Sequence, residues 1–486
     1  MTAWEFAISI VRTLREHGHQ AYLVGGCVRD LLLGRKPADY DVATEASPQA
    51  VMRIFPESYA VGVQFGVVLV PVPKTLLTSN SPLNAIHESP NNPCHSFPAL
   101  AAEEIAFSRP SPPGHSHKAC VEVATFRCDL SYSDGRHPDE VRFSRDPRED
   151  VQRRDFTING LLLDPEKNEV LDFVGGQEDL RAGIIRAIGD PELRFTEDKL
   201  RMLRAIRFAA RFGYKMDPAT FLAIQRLAPQ THQVSRERVR DELTRMLTEG
   251  QAKKAFQLLD QSGLLHEVLP EIEAMKGVEQ PPEFHPEGDV FVHTFLLLEK
   301  LPHPCAPTLA WGALLHDVGK PPTFCRAPDR IRFDNHVKVG VKMAEAICKR
   351  LRFSNDDTEQ ILALVDNHMR FGDVERMKLS TFKKFIRLPR FDEHLELHRL
   401  DCESSHRSLA MYNFTREKIE NLPDEELRPK ALIGGDDLIA AGYKPGPLFK
   451  QVLGAVEDAQ LDGRLSSKAD ALRFIEQQFP QQSSGS

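Results

Sequence analysis

Residues 24–44 read VGGCVRDLLLGRKPADYDVAT, and the order of glycines, helix-like run and acidic pair in that stretch decides how the first part of the chain is read. The preceding AYLV (21–24) is a short apolar run of strand type, Gly25-Gly26 breaks it, CVRDLLL has helical character, and DYDVAT alternates as a half-buried strand does. The pattern is strand, tight turn, helix, strand. In a strand, positions i and i+2 share a face, so Asp39 and Asp41 are expected to project together while Tyr40 points the other way. Two carboxylates on one face repel unless a cation lies between them, and Mg²⁺, a hard ion, prefers oxygen. A glycine turn that opens a helix offers backbone N–H groups and the positive end of the helix dipole, which suit a phosphate. A metal beside a phosphate is the reading, and an ordinary solvated turn is the plainer alternative.

The chain has 486 residues, more than one hydrophobic core serves, so two to four domains are expected. No stretch approaches the roughly 20 consecutive apolar residues of a membrane span. The opening MTAWEFAISIVRTLREHGH carries charges through an amphipathic helical pattern and lacks the uninterrupted apolar run of a signal peptide. Eight cysteines are scattered without CxxC pairs, which fits reduced thiols and a cytoplasmic location. Lys and Arg number 62 against 70 Asp and Glu, a formal charge of −8. That balance excludes a globally basic nucleic-acid binder. Local arginine clusters can still hold phosphates, because salt confines surface fields to about 8 Å.

Strand signals (AYLV, DYDVAT, GVQFGVVLVPV, CVEVATFR, EVLDFV) are mixed with short helical pieces up to about residue 190. From FTEDKLRMLRAIRFAARFGY onward nearly every segment has helical period. An α+β head followed by a long helical body is the fold class expected. Residues 73–118, rich in Pro, Ser, Asn and His, interrupt the head and have the composition of a disordered surface insertion. Cys94, His95, His115, His117 and Cys120 there match no regular zinc spacing. The tail PQQSSGS is likewise expected to be disordered.

Two further stretches carry arginines. In EDVQRRDFTINGLLLDP (149–165), Arg153 and Arg154 offer the planar fork that binds phosphate bidentately, with a pair of surface arginines as the bland reading. In the next stretch Asp198, Arg201, Arg204, Arg207 and Arg211 recur every three or four residues, a helical stripe opposite Leu200, Leu203, Ile206 and Phe208. A solvated face with Asp-Arg pairs explains it simply. The sharper reading is that a carboxylate and a guanidinium three residues apart face a base. Adenine and cytosine both place an exocyclic amine beside an acceptor ring nitrogen, so C and A would be admitted and U and G left with unpaired polar groups.

LVGGCVRDLLLGRKPADYDVAT, EVATFR, RRDFTIN and EDKLRMLRAIRFAARFGY, in this order and with SRERVRDEL after them, resemble the class II tRNA nucleotidyltransferases and bacterial poly(A) polymerases over residues 5–250. The resemblance implies a polymerase-beta-like nucleotidyltransferase head and helical neck, body and tail that hold tRNA. It implies Asp39 and Asp41 as Mg²⁺ ligands, Glu122 as a third carboxylate, and Gly26 and Arg29 as triphosphate contacts. It further implies Arg154, Arg204 and Arg207 as nucleotide contacts, with Asp198 and Arg201 as the template that pairs with the base. The chemistry implied is attack of an RNA 3′-hydroxyl on the α-phosphate of CTP or ATP, with pyrophosphate leaving. The poly(A) branch typically has a basic GRRF-like stretch where this chain has VGVQFGVVLV, which favours the tRNA branch. Gly160 stands where many relatives have Ala. The region RCDLSYSDGRHPDEVRF is present, so full CCA addition is expected, with CC-adding or A-adding subtypes as alternatives.

Residues 285–405 carry a second set: His293, His316-Asp317 followed by Gly319-Lys320, His336, His368 and Asp401. Any one histidine in a helical domain is ordinarily structural. The whole set resembles the HD phosphohydrolase domain. That resemblance implies His293, His316, Asp317 and Asp401 as metal ligands, with His336 and His368 completing a second metal site or binding phosphate. Imidazole with carboxylate suits Mn, Fe, Ni or Co. A metal-dependent phosphohydrolase is expected, against an HD fold kept for architecture. Asp436-Asp437 reads as a helix cap rather than a metal site.

The organisation expected is a head at 1–190, a helical neck and body at 191–275, an HD domain at 276–425 and a helical extension at 426–486. The expected partners are tRNA, CTP and ATP, with no membrane. A poly(A) polymerase and an HD phosphohydrolase with a non-catalytic head are the alternatives.

Overall fold

The computed structural model describes residues 2–61, 65–72, 120–131, 140–283 and 285–480. The expected insertion at 73–118, with its zinc alternative at Cys94, His95, His115 and His117, lies outside the described residues, as do 132–139 and the end of the tail. The chain divides into two compact units, Met1–Glu242 with Gln257–Val268, and Leu243–Phe256 with Leu269–Ser486.

The N-terminal unit begins α1 (Ala3–Glu16), β1 (Ala21–Val24), α2 (Gly26–Leu32), β2 (Asp41–Thr44), α3 (Pro48–Ile54), β3 (Tyr59–Ala60), β4 (Val67–Pro71), β5 (Cys120–Thr125), β6 (Arg127–Ser131) and β7 (Glu140–Phe143). It continues α4 (Pro147–Gln152), β8 (Leu161–Asp164), β9 (Glu169–Asp172), α5 (Gly176–Ala182), β10 (Ile184–Ile185), α6 (Pro191–Glu197), α7 (Leu200–Phe212), β11 (Lys215–Met216) and α8 (Pro218–Leu227). Helices α9 (Arg236–Thr248) and α10 (Ala252–Gln261) are divided between the two units, after Glu242 and after Phe256, and α11 (Leu264–Val268) falls in the first. Among the described residues the main sheet has the order β3-β4-β5-β2-β1-β8-β9. Only β2 and β5 in it run parallel. Asp41 pairs across this junction with Glu122 on one side and with Val24 on the other.

Residues directly opposite in neighbouring strands point to the same face. Asp41 and Glu122 therefore share a face with Val24 and Ala43, which lie in the buried cluster with Phe126, Val151 and Leu162. Tyr40 does turn inward, as expected: it is 7% exposed and its ring lies 5.8 Å from that of Trp4. Burial pushes its phenol up to about 12. The strand itself starts only at Asp41. Asp39 thus precedes the ladder, in the irregular segment between the turn after α2 and β2, a correction to the strand drawn through both carboxylates.

Gly160 is filled from three sides. A Cβ there would meet Val174 Cγ2 at 2.8 Å and both Ile188 Cδ1 and Val151 Cγ1 at 3.1 Å. The larger neighbours occupy the space that a methyl group at this position would need.

The second unit runs α12 (Pro270–Glu273), α13 (Val290–Glu299), α14 (Pro307–Leu315), α15 (Lys320–Thr323), β12 (Phe324–Arg326), β13 (Ile331–Phe333), α16 (His336–Arg350) and α17 (Asn355–Asn367). It ends with α18 (Leu379–Ile386), α19 (Phe391–Ser404), α20 (Ala410–Glu420), α21 (Asp424–Leu427), α22 (Gly435–Ala440), α23 (Pro447–Leu461) and α24 (Lys468–Gln478). The unit is helical apart from the hairpin of β12 and β13, which pairs Phe324 with Phe333. Helix α14 is buried from Thr308 to Leu315. Its Gly312 lets α17 approach: a Cβ there would lie 2.6 Å from Leu364 Cδ1. A separate cluster of Ile433, Leu438, Tyr443, Val452, Val456, Ala471 and Ile475 holds the C-terminal helices. Asp437 Oδ2 accepts from the Gly434 N–H at 2.9 Å, the capping role expected of the acidic pair. No helix of the described residues is long and apolar enough to cross a membrane.

Overpacking a tight core costs about 1–3 kcal/mol. Gly160→Ala should therefore lower the unfolding free energy of the N-terminal unit by that amount, read as a lower urea midpoint at unchanged slope; an unchanged midpoint would show that the three neighbours give way freely.

Candidate functional site

Helix α2 starts at Gly25, whose φ of 78° lies in the region that glycine alone enters easily. A Cβ there would come within 3.2 Å of Arg154 Nη1. The turn and Arg154 thus lie against one another. Arg29 leaves the same helix and is only 4% exposed. Its Nε donates to Asp30 Oδ1 at 2.8 Å and its Nη1 to Asn159 Oδ1 at 2.5 Å. The guanidinium also lies over the rings of Phe212 and Phe208, at 4.7 and 5.3 Å. Burial pulls its pKa down from the usual arginine value, against the pull of Asp30.

Asn159 passes the connection on, because its Nδ2 donates to Asp155 Oδ1 at 3.0 Å. Arg204 closes it with Nε and Nη2 on Asp155 Oδ2, at 2.9 and 2.6 Å. Burial works to raise the Asp155 pKa, but Arg204 and the Asn159 hydrogen bond outweigh it and hold the carboxyl well below the ordinary range. Asp150 is treated alike: Arg153 and Arg154 bind one oxygen each, at 2.6 and 2.9 Å, and keep it ionised against its burial. Asp150, Asp155 and Asn159 were not singled out in sequence; their only signal was their place around RRDFTIN.

The base-facing pair is arranged differently from a single helical stripe. Asp198 follows α6 in extended conformation (φ −144°, ψ 104°), one residue ahead of Lys199, which caps α7. Both its oxygens are held by Arg238 of α9, at 3.2 and 2.7 Å. Arg201, on α7, donates to Glu197 Oε2 at 2.6 Å and to the carbonyls of Arg194 and Arg153 at 2.9 and 3.1 Å. Arg207, expected as a nucleotide contact with a solvated face as the alternative, is 3% exposed and donates to Glu242 Oε2 at 2.7 Å. Each step of three residues falls about 60° short of a full turn, so a row of arginines spaced by three rotates toward the core. Arg238 and Glu242, forty and thirty-five residues from their partners, give no local sign of these pairs.

In the second unit six expected residues come together. His293 Nε2 lies 3.3 Å from His316 Nε2 and 3.1 Å from Asp401 Oδ1. Asp317 joins the two halves, with Oδ2 3.2 Å from His316 Nε2 and Oδ1 3.8 Å from His368 Nε2. His336 completes a group with Asp317 and His368. Lys320 Nζ, 2.7 Å from Asp317 Oδ2, donates also to Gln280 Oε1.

The orientation of the rings is fixed from behind. The Nδ1 atoms of His316, His336 and His368 face the carbonyls of Ala313, Phe333 and Val365, at 2.8, 2.9 and 2.7 Å. His293 Nδ1 faces Glu287 Oε1 at 2.7 Å. A ring that donates from Nδ1 presents the lone pair of Nε2 forward. The buried Nε2 atoms of His336 and His368 have no hydrogen-bond partner. Burial lowers both, His368 to about 4, so these rings are neutral. For His293, burial is outweighed by Asp401 and Glu287, which raise it to about 9. Glu287 and Lys320 were not predicted as site residues. Gly319 sets the spacing: a Cβ there would lie 2.1 Å from the His336 carbonyl oxygen and 2.5 Å from the Gly340 nitrogen.

Three family profiles match the chain. That of the poly A polymerase head domain covers residues 21–81 and 111–186, that of the probable RNA and SrmB-binding site of polymerase A covers 213–276, and that of the HD domain covers 290–405. A CCA-adding enzyme of Geobacillus sp. (strain WCH70) is 30% identical over 468 residues, which are 96% of this chain and 95% of that one. The chain belongs to the CCA-adding enzyme family. The CCA-adding enzyme of Geobacillus stearothermophilus is 38% identical over 258 residues, 53% of each chain. The crystal structure of the Bacillus stearothermophilus CCA-adding enzyme in complex with CTP has a TM-score of 0.68 at 25% identity, covering 98% of both chains. The Thermotoga maritima CCA-adding enzyme complexed with tRNA shares the fold, with a TM-score of 0.52 at 18% identity over 97% of this chain and 94% of that one. Head and HD domains of these kinds generally use divalent metals.

A carboxylate whose folded pKa is depressed adds stability above its unfolded pKa, about 3.9, and loses it as pH falls through the folded value. Asp155→Asn should therefore weaken the N-terminal unit at neutral pH and flatten its loss of stability below about pH 4. Parallel acid limbs in the two proteins' urea midpoints would show that Asp155 is not ionised in the fold.

Proposed function

We propose that this chain is a template-independent tRNA nucleotidyltransferase that adds CMP and AMP, from CTP and ATP, to the tRNA 3′ end in the cytoplasm. The observation that carries this reading is the register of Asp41 and Glu122 on neighbouring parallel strands, beside the turn on which Arg154 rests. Asp39, Asp41 and Glu122 offer only oxygen, the donor set of a hard cation, and would hold Mg²⁺. Bound there, the ion stabilises the charge on the attacking and leaving oxygens. The Gly25-Gly26 turn, Arg29 and Arg154 receive the triphosphate, and the buried attachments of Arg29 fix it in place before any nucleotide arrives. Asp198 accepts from the exocyclic amine and Arg201 donates to the ring nitrogen, while Arg204 and Arg207 brace the nucleotide pocket. The RNA 3′-oxygen forms a bond to the α-phosphorus, the α–β bridge breaks, and pyrophosphate departs with the electron pair. The work divides as head (1–190), neck and body (191–275), HD domain (276–425) and helical extension (426–486).

A second activity is favoured by the convergent Nε2 atoms of the HD cluster. His293, His316, Asp317 and Asp401 would hold a transition metal such as Mn, Fe, Ni or Co, and His336 and His368, with Asp317, a second. The buried, unpartnered Nε2 atoms of His336 and His368 support this reading, since each leaves a lone pair for an ion. A metal there would activate water for hydrolysis of a phosphate ester. The carbonyls behind the rings hold the tautomers, and Lys320 orients the carboxylate that both halves share.

The protein should extend tRNA ending at the discriminator base with C and A only, and leave unstructured RNA unextended; long A tails on any RNA would instead make it a poly(A) polymerase. Asp41→Asn should lower nucleotide incorporation on the order of 100-fold or more while sparing phosphatase activity. His316→Ala should do the reverse. Loss of both activities in either variant would contradict two independent sites.

A further inference from the structure

We propose that the hairpin of β12 and β13 is the base-binding wall of the HD site, where Phe324 and Phe333 stack the base of a nucleoside phosphate whose phosphate lies at the metal cluster. This rests on the phosphohydrolase reading and names the substrate class of that site. Phe324 and Phe333 are opposite each other in the hairpin, so both rings stand on one face, with centroids 6.0 Å apart and planes at 54°. Two connections tie that face to the cluster. Lys320 Nζ lies 5.4 Å from the Phe333 ring centroid and 2.7 Å from Asp317 Oδ2. The Phe333 carbonyl is also the acceptor that orients His336. The aromatic face and the carboxylate thus meet through one side chain, Lys320.

On the same face Ile331 and Phe333 are half-buried, while Phe324 is the more exposed of the two rings. The hairpin's other face carries Cys325 opposite Arg332, both exposed, and Arg326 beside the rings is paired with Glu279. Phe324 remains 38% exposed, a large apolar side chain presented to water at the edge of a buried polar site. A nucleobase covers such a ring well, and stacking accepts any base because each has a π-face. The site would then choose substrates by the presence of a base, and the metal cluster would act on the phosphate.

The test compares hydrolysis of adenosine 3′-phosphate with that of glycerol 2-phosphate, a monoester of the same kind without a base, by the full chain with added Ni²⁺ or Mn²⁺. Phe324→Ala should raise KM for adenosine 3′-phosphate about tenfold and leave glycerol 2-phosphate unaffected. Phe324→Trp should keep the wild-type preference. An equal change for both substrates, or none for either, would overturn the proposal while leaving the phosphohydrolase intact. Hydrolysis of neither substrate by the wild type would remove the phosphohydrolase reading, and the proposal with it.

Discussion

The buried carboxylate of Asp155 is the contact on which the N-terminal unit turns. It accepts from the Phe156 N–H and from Asn159 through one oxygen and from Arg204 through the other. Asn159 in turn holds Arg29. A glycine turn on the sheet and a helix some 170 residues further along are thereby joined through a carboxylate that is 8% exposed, with Arg204 reaching it from a half-buried position. Breaking one partner of such a buried pair costs about 3–5 kcal/mol, because the other is left charged and alone. The same cost is what keeps the arginines in register when nothing is bound, so that binding does not have to order them.

The second unit solves a similar problem with imidazoles. Three of its imidazoles lean on backbone carbonyls of their own neighbourhood, and one on a carboxylate. Direction is therefore set by the main chain, which cannot rotate away as a side chain can. Gly319 and Gly312 perform the matching task for distance, each letting one segment approach another where a methyl group would collide.

How much of this could be read in the sequence depended on how local the cause was. AYLV, DVAT and CVEVAT were legible because alternation and flanking glycines act within a few residues, and the HD set because an adjacent His-Asp is rare enough to anchor the rest. Asp198 was misplaced onto a helix because no glycine or proline marks the break between α6 and α7. Arg207 lies in the core, off the solvated face that was the plainer alternative, because a row of residues spaced by three winds around the helix. Arg238, Glu242, Asp155 and Glu287 act through partners that the chain brings back from a distance or around a turn, and residue types alone do not announce such pairs. The hairpin carrying Phe324 and Phe333 was too short to show a period within a helical surround.

The antiparallel ladder of β4 and β5 continues to the pair Pro71 and Cys120, with everything between them connecting those two ends. Glu122 is locked opposite Leu69, only two residues inside that end. The entropy of closing a loop grows only with the logarithm of its length, about 0.6 kcal/mol per doubling. The pairing that fixes Glu122 is therefore made by the ladder itself, and the length of chain joining Pro71 to Cys120 would change its free energy only slowly. That connection can vary in length at little thermodynamic cost, whereas the few atoms around Gly319 admit no such edit.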